Sequence, residues 1–399
     1  MVNSNSGGRP LHGLRILDLT RLLPGPLCTQ HMADLGADVI KIEDLRRGDY
    51  APAFVRRAVN RNKRGLLLDL KDQEGVEIFL KLVRTADAVV EGFRPGVVDR
   101  LGVGFEAARA VNPKIVYCSI TGFGQDGSLR DMGGHDINYC ALSGFLDLVA
   151  NTSSPPALPH ALMADIMGGT LSAAMGLLAA LVDVQRGGPG RHVDVSITDC
   201  MLAHNILALG ADATEARPLQ PSIHSGANLR YRLYETADGR HMAIGAQEKQ
   251  FWDEACDALG RPDFKPHHLA PSSAECPVTR DIEATFRSRT QAEWINRFRG
   301  RDACVTPVLF PREAVRHEHF VERDLVACPD TAAPAAFGFP IRMTDAAFDV
   351  RLDPPSPGQH TAEILGNIGF PPNKIADLMT RGVVRKPGAG SVGQEEPAR

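Results

Sequence analysis

Short runs of apolar, β-branched residues alternate with amphipathic helical patterns through the first half of this 399-residue chain. Residues 73–84 show the helical pattern, with apolar side chains at Val76, Phe79, Leu80 and Leu82. The runs typical of strands are residues 15–19, 38–42, 66–70, 88–90 and 115–119. Because strands that alternate with helices usually form a parallel sheet covered by those helices, we predict an α/β fold with a large Rossmann-like domain. Ligands of such sheets bind at the carboxyl ends of the strands.

The pattern changes in the second half, where the sequence predicts a smaller α+β domain. Residues 231–236 and 241–244 are typical of a hairpin with a turn at Gly239, and helical patterns follow at residues 248–259 and 291–297. The predicted organisation is a large domain over residues 10–200, a small domain over 225–310, a return to the large domain over 325–380, and a disordered tail over 386–399.

Composition and charge exclude several classes of protein. The chain has 43% hydrophobic and 23% charged residues and a net charge of −4, which is ordinary for a globular enzyme and gives no field attractive to nucleic acid. Its eight cysteines are scattered without a C-x-x-C pair, which favours free thiols. No stretch is apolar for long enough to predict a transmembrane span, and we expect the nearly apolar helix at residues 168–184 to be fully buried. These features predict a cytoplasmic enzyme without a membrane or nucleic-acid partner.

Two stretches place acid/base groups beside glycines. GGHDINY contains His135 and Asp136, and ALMADIMGG contains Asp165. A carboxylate at the start of a helix lies near unpaired backbone N–H groups, which favour negative charge and can hold a developing oxyanion. Glu248, in a turn opened by Gly245, is a further acid. Taken alone, such residues are more often turn, core or capping residues than catalytic ones.

Several motifs together resemble the family III CoA-transferase (CaiB/BaiF) superfamily. They occur in order as LHGLRILDLT at 11–20, ADLGADVIKIE at 33–43, RNKR at 61–64, ITGFG at 120–124 and HTAEIL at 360–365, so that the resemblance covers roughly residues 10–380. GHDINY, the segment around Asp165 and GAQEKQF around Glu248 resemble the alpha-methylacyl-CoA racemase branch. The resemblance implies an acyl-CoA thioester as substrate, with coenzyme A as part of it and no further cofactor. It also implies an interlocked homodimer in which each chain threads through its partner.

The resemblance implies roles for His135 and Asp165, and general chemistry adds roles for Glu248 and Asp136. His135 and Asp165 would exchange acid and base roles on the two faces of the carbon next to the thioester carbonyl. Glu248 would orient or charge-tune His135, from across the dimer interface, and Asp136 would belong to the same hydrogen-bonded support.

Coenzyme A needs cations for its phosphates and an apolar slot for its adenine. The residues that match such a site are Arg21, Leu22, Leu23, Pro24, Leu68, Lys71, Arg94 and Arg100. Of these, Lys71 and Arg100 match positions that hold phosphates. One position departs from the pattern, because Asp44 stands where relatives commonly carry an arginine that stacks on adenine; Arg46 or Arg47 would have to replace it.

Two other functions stay open. In a family III CoA-transferase, Asp165 would be a nucleophile that forms a mixed anhydride and then an aspartyl-CoA thioester. Such transferases often carry a Gly-rich loop in the small domain, which residues 243–248 lack. The remaining alternative is a protein that binds CoA esters without activity.

Metal and acyl-group signals are weak. His317 and His319 point apart on a helix, and neither they nor the pair His267 and His268 have a third ligand motif, so we predict no metal site. Leu142, Phe145 and Leu162 indicate a largely apolar pocket for the acyl group.

Overall fold

The chain forms two compact units. The computed structural model describes residues 8–45, 48–149, 158–206, 226–327, 336–346 and 348–386. The large unit contains the described residues up to 147, from 158 to 206 and from 336 onward, and the small unit contains residues 148 and 149 and those from 226 to 327. Arg46, Arg47 and all but the first residue of the predicted tail lie outside the described residues.

Short strands and helices make up both units. The strands are β1 (Arg15–Asp18), β2 (Asp38–Glu43), β3 (Lys63–Leu68), β4 (Ala88–Glu91), β5 (Val116–Thr121), β6 (His192–Ser196), β7 (Tyr231–Glu235), β8 (His241–Gly245), β9 (Val305–Pro307), β10 (Val326–Ala327), β11 (Ala336–Phe337) and β12 (Val384–Arg385). The α-helices are α1 (Pro24–Asp34), α2 (Ala53–Ala58), α3 (Gln73–Val83), α4 (Val97–Arg100), α5 (Phe105–Val111), α6 (Asp136–Leu142), α7 (Phe145–Leu148), α8 (Ser172–Gln185), α9 (Ile197–His204), α10 (Lys249–Leu259), α11 (Pro277–Arg287), α12 (Gln291–Phe298), α13 (Pro311–Ala314), α14 (Glu318–Glu322), α15 (Thr361–Asn367) and α16 (Pro372–Thr380). A π-helix (Ala164–Leu171) runs directly into α8, and a 3₁₀-helix (Pro262–His267) follows α10.

The large unit is built on a seven-stranded sheet in the order β12-β3-β2-β1-β4-β5-β6. Strands β1 to β6 are parallel and β12 is an antiparallel edge strand. Ile16 of β1 lies opposite Val39 of β2 on one side and opposite Ala88 of β4 on the other. The strand order therefore reverses between β1 and β4, which is where open α/β sheets bind their ligands. The predicted α/β class with a large parallel sheet is confirmed.

Both faces of this sheet are covered. Successive residues of a strand enter different cores, so that Ile16 packs with α1 and α8 while Leu17 packs with α3, α15 and α16. Because both faces are buried, the strands appear in the sequence as continuous apolar runs rather than alternating ones.

Strand β3 begins earlier than the sequence predicts. The predicted strand starts at residue 66, but β3 starts at Lys63, whose side chain is fully buried. Lys63 Nζ donates hydrogen bonds to Asp18 Oδ2 at 2.9 Å and to the Pro26 carbonyl at 2.7 Å. Burial lowers the pKa of Lys63 to about 8, with Asp18 acting in the opposite direction. Lys63 can be part of the buried sheet because its ion-pair partner, Asp18, lies on the nearby strand β1.

The helix predicted over residues 168–184 is not fully buried in this chain. Its π-helical and α-helical parts together span Ala164–Gln185, and Ala173 and Leu177 face the core. Met175, on the other side, is 64% exposed, because the helix packs against α1, β5 and β6 on one side only. Within the described residues, Ala164–Gln185 is the helical stretch long and apolar enough to cross a bilayer.

The small unit contains an antiparallel sheet in the order β7-β8-β9, with helices packed against it. Tyr231 lies opposite Gly245, as the predicted hairpin requires, and β9 adds a strand that the sequence analysis did not predict. The core of this unit is aromatic: Tyr234 stacks on Phe286 with ring centroids 4.7 Å apart, and Trp294 packs against the same ring.

Candidate active site

A cavity of about 470 Å³ opens in the large unit where β1, β4 and β5 end. His135 and Asp165 both line it, 30 positions apart in the chain. Arg21 and Arg94 contribute positive charge to the same wall. This first cavity therefore combines an imidazole, a carboxyl group and cations at the place where the strand order reverses.

Asp165 lies in the first turn of the π-helix, and two glycines allow that helix to approach its neighbours closely. A Cβ added at Gly168 would lie 2.6 Å from the carbonyl oxygen of Ile197, and one at Gly169 would lie 2.7 Å from Cβ of Pro24. The two glycines thus let the second half of the π-helix pack against α9 and α1. Short π-helices are often found at functional sites.

The carboxyl group of Asp165 is half-buried, which changes its acidity. Its pKa is raised from the ordinary 3.8 to about 6. Burial is the main cause, the negative charge of Asp136 adds to it, and His135 acts in the opposite direction. A carboxyl group with this pKa can both accept and donate a proton near neutral pH.

Asp136 is buried and supports Asp165. Its Oδ1 accepts a hydrogen bond from the backbone N–H of Asp165 at 2.9 Å, and the Cys140 thiol donates to its Oδ2 at 3.6 Å. The sequence grouped Asp136 with the support of His135, but these hydrogen bonds connect it to the start of the π-helix instead. Asp136 therefore fixes the position of Asp165 and also raises its pKa.

His135 comes directly before α6, and its side chain is exposed to the cavity. Its backbone N–H donates to Oδ1 of Asn138 at 3.0 Å. The Tyr139 hydroxyl donates to the carbonyl of Gly134 at 2.6 Å, and a Cβ added at Gly134 would lie 2.7 Å from the Tyr139 ring. The glycine before His135 thus lets this segment pack closely on Tyr139.

A second cavity, of about 420 Å³, lies at the ends of β2 and β3. It shares Arg21 and Phe93 with the first cavity. The Arg21 guanidinium carbon lies 4.9 Å from the centroid of the Phe93 ring and 5.3 Å from that of Tyr50. This stack of Arg21, Phe93 and Tyr50 separates the two cavities, and we call it the partition.

Buried charges hold the loop that carries Arg21. Leu22 has a positive φ of 66°, which is costly for a non-glycine residue. Its backbone N–H donates to Asp49 Oδ1 at 2.9 Å, and Lys41 Nζ donates to the carbonyl of Thr20. Lys41 Nζ is also 3.5 Å from Asp49 Oδ2. These contacts compensate for the strain at Leu22.

The predicted CoA-binding residues divide between the two cavities. Arg21 lines both; Leu22, Pro24 and Arg94 line the first; Leu68 and Lys71 line the second. Leu23 and Arg100 are not among the residues that line either cavity, although Arg100 Nη1 would lie 3.4 Å from a Cβ at Gly96, in the turn that carries Arg94. Asp44 lines the second cavity.

Sequence reasoning missed both aromatic members of the partition. Phe93 stands beside the predicted CoA-binding residue Arg94, two positions after the end of β4, so its place in the sequence was an available signal. Tyr50 offered no local signal. Of the residues expected in an apolar acyl pocket, Leu142 and Leu162 are 57% and 46% exposed, and neither they nor Phe145 line the first cavity.

Glu248 belongs to the small unit, where it is the residue that precedes α10. Its side chain is exposed and does not cap the helix. Its carboxylate makes no hydrogen bond or ion pair with any residue that the structure describes. The group is therefore available for an interaction outside its own helix.

Metal-ligating side chains do not cluster in the described part of the chain. No three His, Cys, Asp or Glu residues there are placed to hold one ion. His317 Nδ1 instead accepts a hydrogen bond from the backbone N–H of His319 at 3.3 Å.

Comparison with known proteins gives one family. The family model for CoA-transferase family III matches residues 11–361. The alpha-methylacyl-CoA racemase of Mus musculus is 35% identical over 378 residues, covering 94% of this chain and 97% of that protein. The succinyl-CoA:glutarate CoA-transferase of Homo sapiens is 30% identical over 403 residues, covering 94% and 90%. The crystal structure of a CaiB/BaiF family protein from Brucella suis has a TM-score of 0.74 and 29% identity, covering 90% of this chain and 99% of that one. The chain is therefore a member of CoA-transferase family III.

Proposed function

We propose that the protein is a racemase or epimerase of 2-methylacyl-CoA thioesters. In this reaction one group removes the proton from the carbon next to the thioester carbonyl, and a second group returns a proton to the opposite face. The observation that carries the proposal is that His135 and Asp165, an imidazole and a carboxyl group with a pKa of about 6, line one cavity.

The acidity of Asp165 suits this chemistry. General acid–base catalysis is most efficient when the pKa of the group lies near the working pH. At pH 7 roughly a tenth of a group with pKa 6 is protonated, so both forms of Asp165 are present. In one direction His135 takes the α-proton and protonated Asp165 supplies one; in the other direction the roles are exchanged. The proton count is balanced, and no redox cofactor is needed.

In this proposal each of the two cavities holds one end of an acyl-CoA thioester. We assign the nucleotide to the second cavity, where Lys71 supplies positive charge and Leu68 and Leu70 supply apolar surface. The thioester then lies in the first cavity, beside His135 and Asp165. The connecting pantetheine chain crosses the partition, where Arg21 is placed to meet a phosphate.

The proposal includes an interlocked homodimer, in which Glu248 of one chain faces His135 of the other. We propose that Glu248 orients the His135 imidazole, as a carboxylate commonly does for a catalytic histidine. The resemblance to racemases supports this role. In the small unit the Glu248 carboxylate neither caps α10 nor pairs with a residue that the structure describes, which is consistent with this role.

The alternative is a CoA-transferase. Relatives with this activity are 29–36% identical, and Asp165 is a half-buried carboxyl group that a thioester in the first cavity would meet. In that reaction a carboxylate oxygen of Asp165 would attack the thioester carbonyl and the CoA thiolate would leave. His135, which lines the same cavity and would be the second proton carrier, favours the racemase, as does the lack of a Gly-rich run at residues 243–248.

Proton NMR of a single 2-methylacyl-CoA epimer in deuterated buffer, without a carboxylate acceptor, tests the proposal. The α-proton signal should disappear and the other epimer should accumulate. Asp165→Asn and His135→Ala should each abolish the exchange, whereas Asp131→Asn, which changes an exposed acid near the cavity, should not. If wild-type protein binds CoA esters without exchange and transfers CoA when carboxylates are added, the transferase is the correct assignment.

A further inference from the structure

The start of α10, which presents Glu248, is held by two side chains from distant parts of the small unit. His268 Nε2 lies 2.7 Å from the carbonyl oxygen of Gln247, and Arg230 Nη1 donates to the same oxygen at 2.9 Å. A carbonyl oxygen can only accept, so Nε2 of His268 carries the proton. Two donors therefore converge on the peptide group immediately before Glu248.

The peptide group after Glu248 is also fixed. The backbone N–H of Trp252 donates to the carbonyl of Glu248 at 3.1 Å, which begins α10. The Trp252 side chain is fully buried, and its Nε1 donates to the carbonyl of Phe264 at 3.1 Å. With both neighbouring peptide groups held, the direction of the Glu248 Cα–Cβ bond is determined by the scaffold.

Arg230 and His268 make few other hydrogen bonds with the residues that the structure describes. Arg230 precedes β7 and has no carboxylate partner among the described residues; its Nε is buried without a hydrogen bond there. Nη1 of Arg230 is 3.0 Å from Nε2 of His268, so that two donors crowd one acceptor. Bringing the Arg230 guanidinium this close to the His268 imidazole costs free energy, and both groups bind the Gln247 carbonyl oxygen. The position of that oxygen is therefore held by two donors where one would satisfy it.

We propose that Arg230 and His268 are positioning residues that hold Glu248 in the orientation its role requires. This inference rests on the proposed function, because it assumes that Glu248 acts in proton exchange. Neither residue touches the substrate in this proposal. Both act through the carbonyl of Gln247.

A double-mutant cycle tests the inference with the α-proton exchange assay. His268→Leu and Arg230→Met should each lower kcat by about tenfold to a hundredfold, the effect of a small displacement of a catalytic group, while KM changes by less than about threefold. His268→Gln, which retains an N–H donor, should recover most of the rate. Arg232→Gln, which breaks an ion pair with Glu283 in the same unit, is the matched control and should leave kcat unchanged.

The decisive comparison uses Glu248→Gln as background. If His268 acts through Glu248, then His268→Leu should cost less than about twofold in protein that already carries Glu248→Gln. A loss as large as in the wild-type background overturns the inference. If His268→Leu does not fold, Arg230→Met is measured in the same cycle with the same criterion.

A second measurement separates failure of the inference from failure of the proposed function. If wild-type protein shows no exchange of the α-proton, the proposed function fails and amide hydrogen exchange decides the inference. The amides from Gln247 to Trp252 should exchange about tenfold faster in His268→Leu and Arg230→Met than in Arg232→Gln. Equal rates in all three variants overturn the inference whatever reaction the protein catalyses.

Discussion

Replacement of Asp165 by asparagine should abolish proton exchange and at the same time stabilise the protein. The reason is the raised pKa of Asp165, which means that its charged form is disfavoured in the folded state. Well below pH 3.8 the group is protonated in both the folded and the unfolded chain. As the pH rises from about 4 to about 6, the unfolded chain loses the proton first, and the free energy of unfolding of the wild type falls.

The size of the effect follows from the shift. A change from 3.8 to about 6 is about 2 pKa units, and each unit is worth about 1.4 kcal/mol, which gives an upper limit of about 3 kcal/mol. Solvent near the half-buried carboxyl group reduces this value, so we expect about 1–3 kcal/mol. Asparagine does not titrate, and its side chain has nearly the same shape.

Urea denaturation at pH 4.0 and pH 7.5 measures this difference. The stability of Asp165→Asn relative to wild type should increase by about 1–3 kcal/mol between the two pH values, while Asp131→Asn should show no such gain. If the difference between Asp165→Asn and wild type is the same at both pH values, the raised pKa and the acid–base role based on it are wrong.

Three further substitutions examine the surroundings of the site. Asp136→Asn keeps an acceptor for the Asp165 N–H but removes a repelling charge, so the acid limb of the kcat/KM profile, near pH 6 in wild type, should move down by about half a pH unit. Gly168→Ala places a methyl group against the Ile197 carbonyl and should lower the free energy of unfolding in urea by about 1–3 kcal/mol. Arg21→Met removes the cation of the partition and should weaken CoA-ester binding by about tenfold to a hundredfold in calorimetry, with unchanged urea stability. An upward shift of the acid limb in Asp136→Asn would contradict the effect of its charge on Asp165. Unchanged stability of Gly168→Ala would contradict the close packing, and unchanged affinity of Arg21→Met would contradict the role of the partition.

The sequence predicted the sheet well because its strands are buried on both faces. Continuous apolar runs such as that in β1 have few alternatives once helical patterns separate them. The start of β3 was missed because Lys63 is charged, and what permits its burial is Asp18, 45 positions earlier. Local patterns do not contain such long-range pairs.

The sequence supplied candidate residues for the site but not the contacts between them. His135 and Asp165 were named from their neighbours in sequence, and they do line one cavity. The hydrogen bond from the Asp165 N–H to Asp136 spans 29 positions, and Tyr50 contacts Arg21 because the fold brings them together. Neither contact leaves a local pattern in the sequence. Leu142, which was expected in the acyl pocket, is exposed instead. The expectation failed because the sequence does not show which face of α6 is turned toward the cavity.

The partition has a consequence for how such an enzyme selects its substrates. If the nucleotide is seated on one side of Arg21 and Phe93, the carbon that reaches His135 and Asp165 is chosen by its distance along the chain from the nucleotide. The fixed length of the coenzyme then determines which carbon lies between His135 and Asp165, and the acyl group beyond that carbon is free to vary. Structurally diverse 2-methyl acids would become equivalent substrates once they are joined to coenzyme A as thioesters.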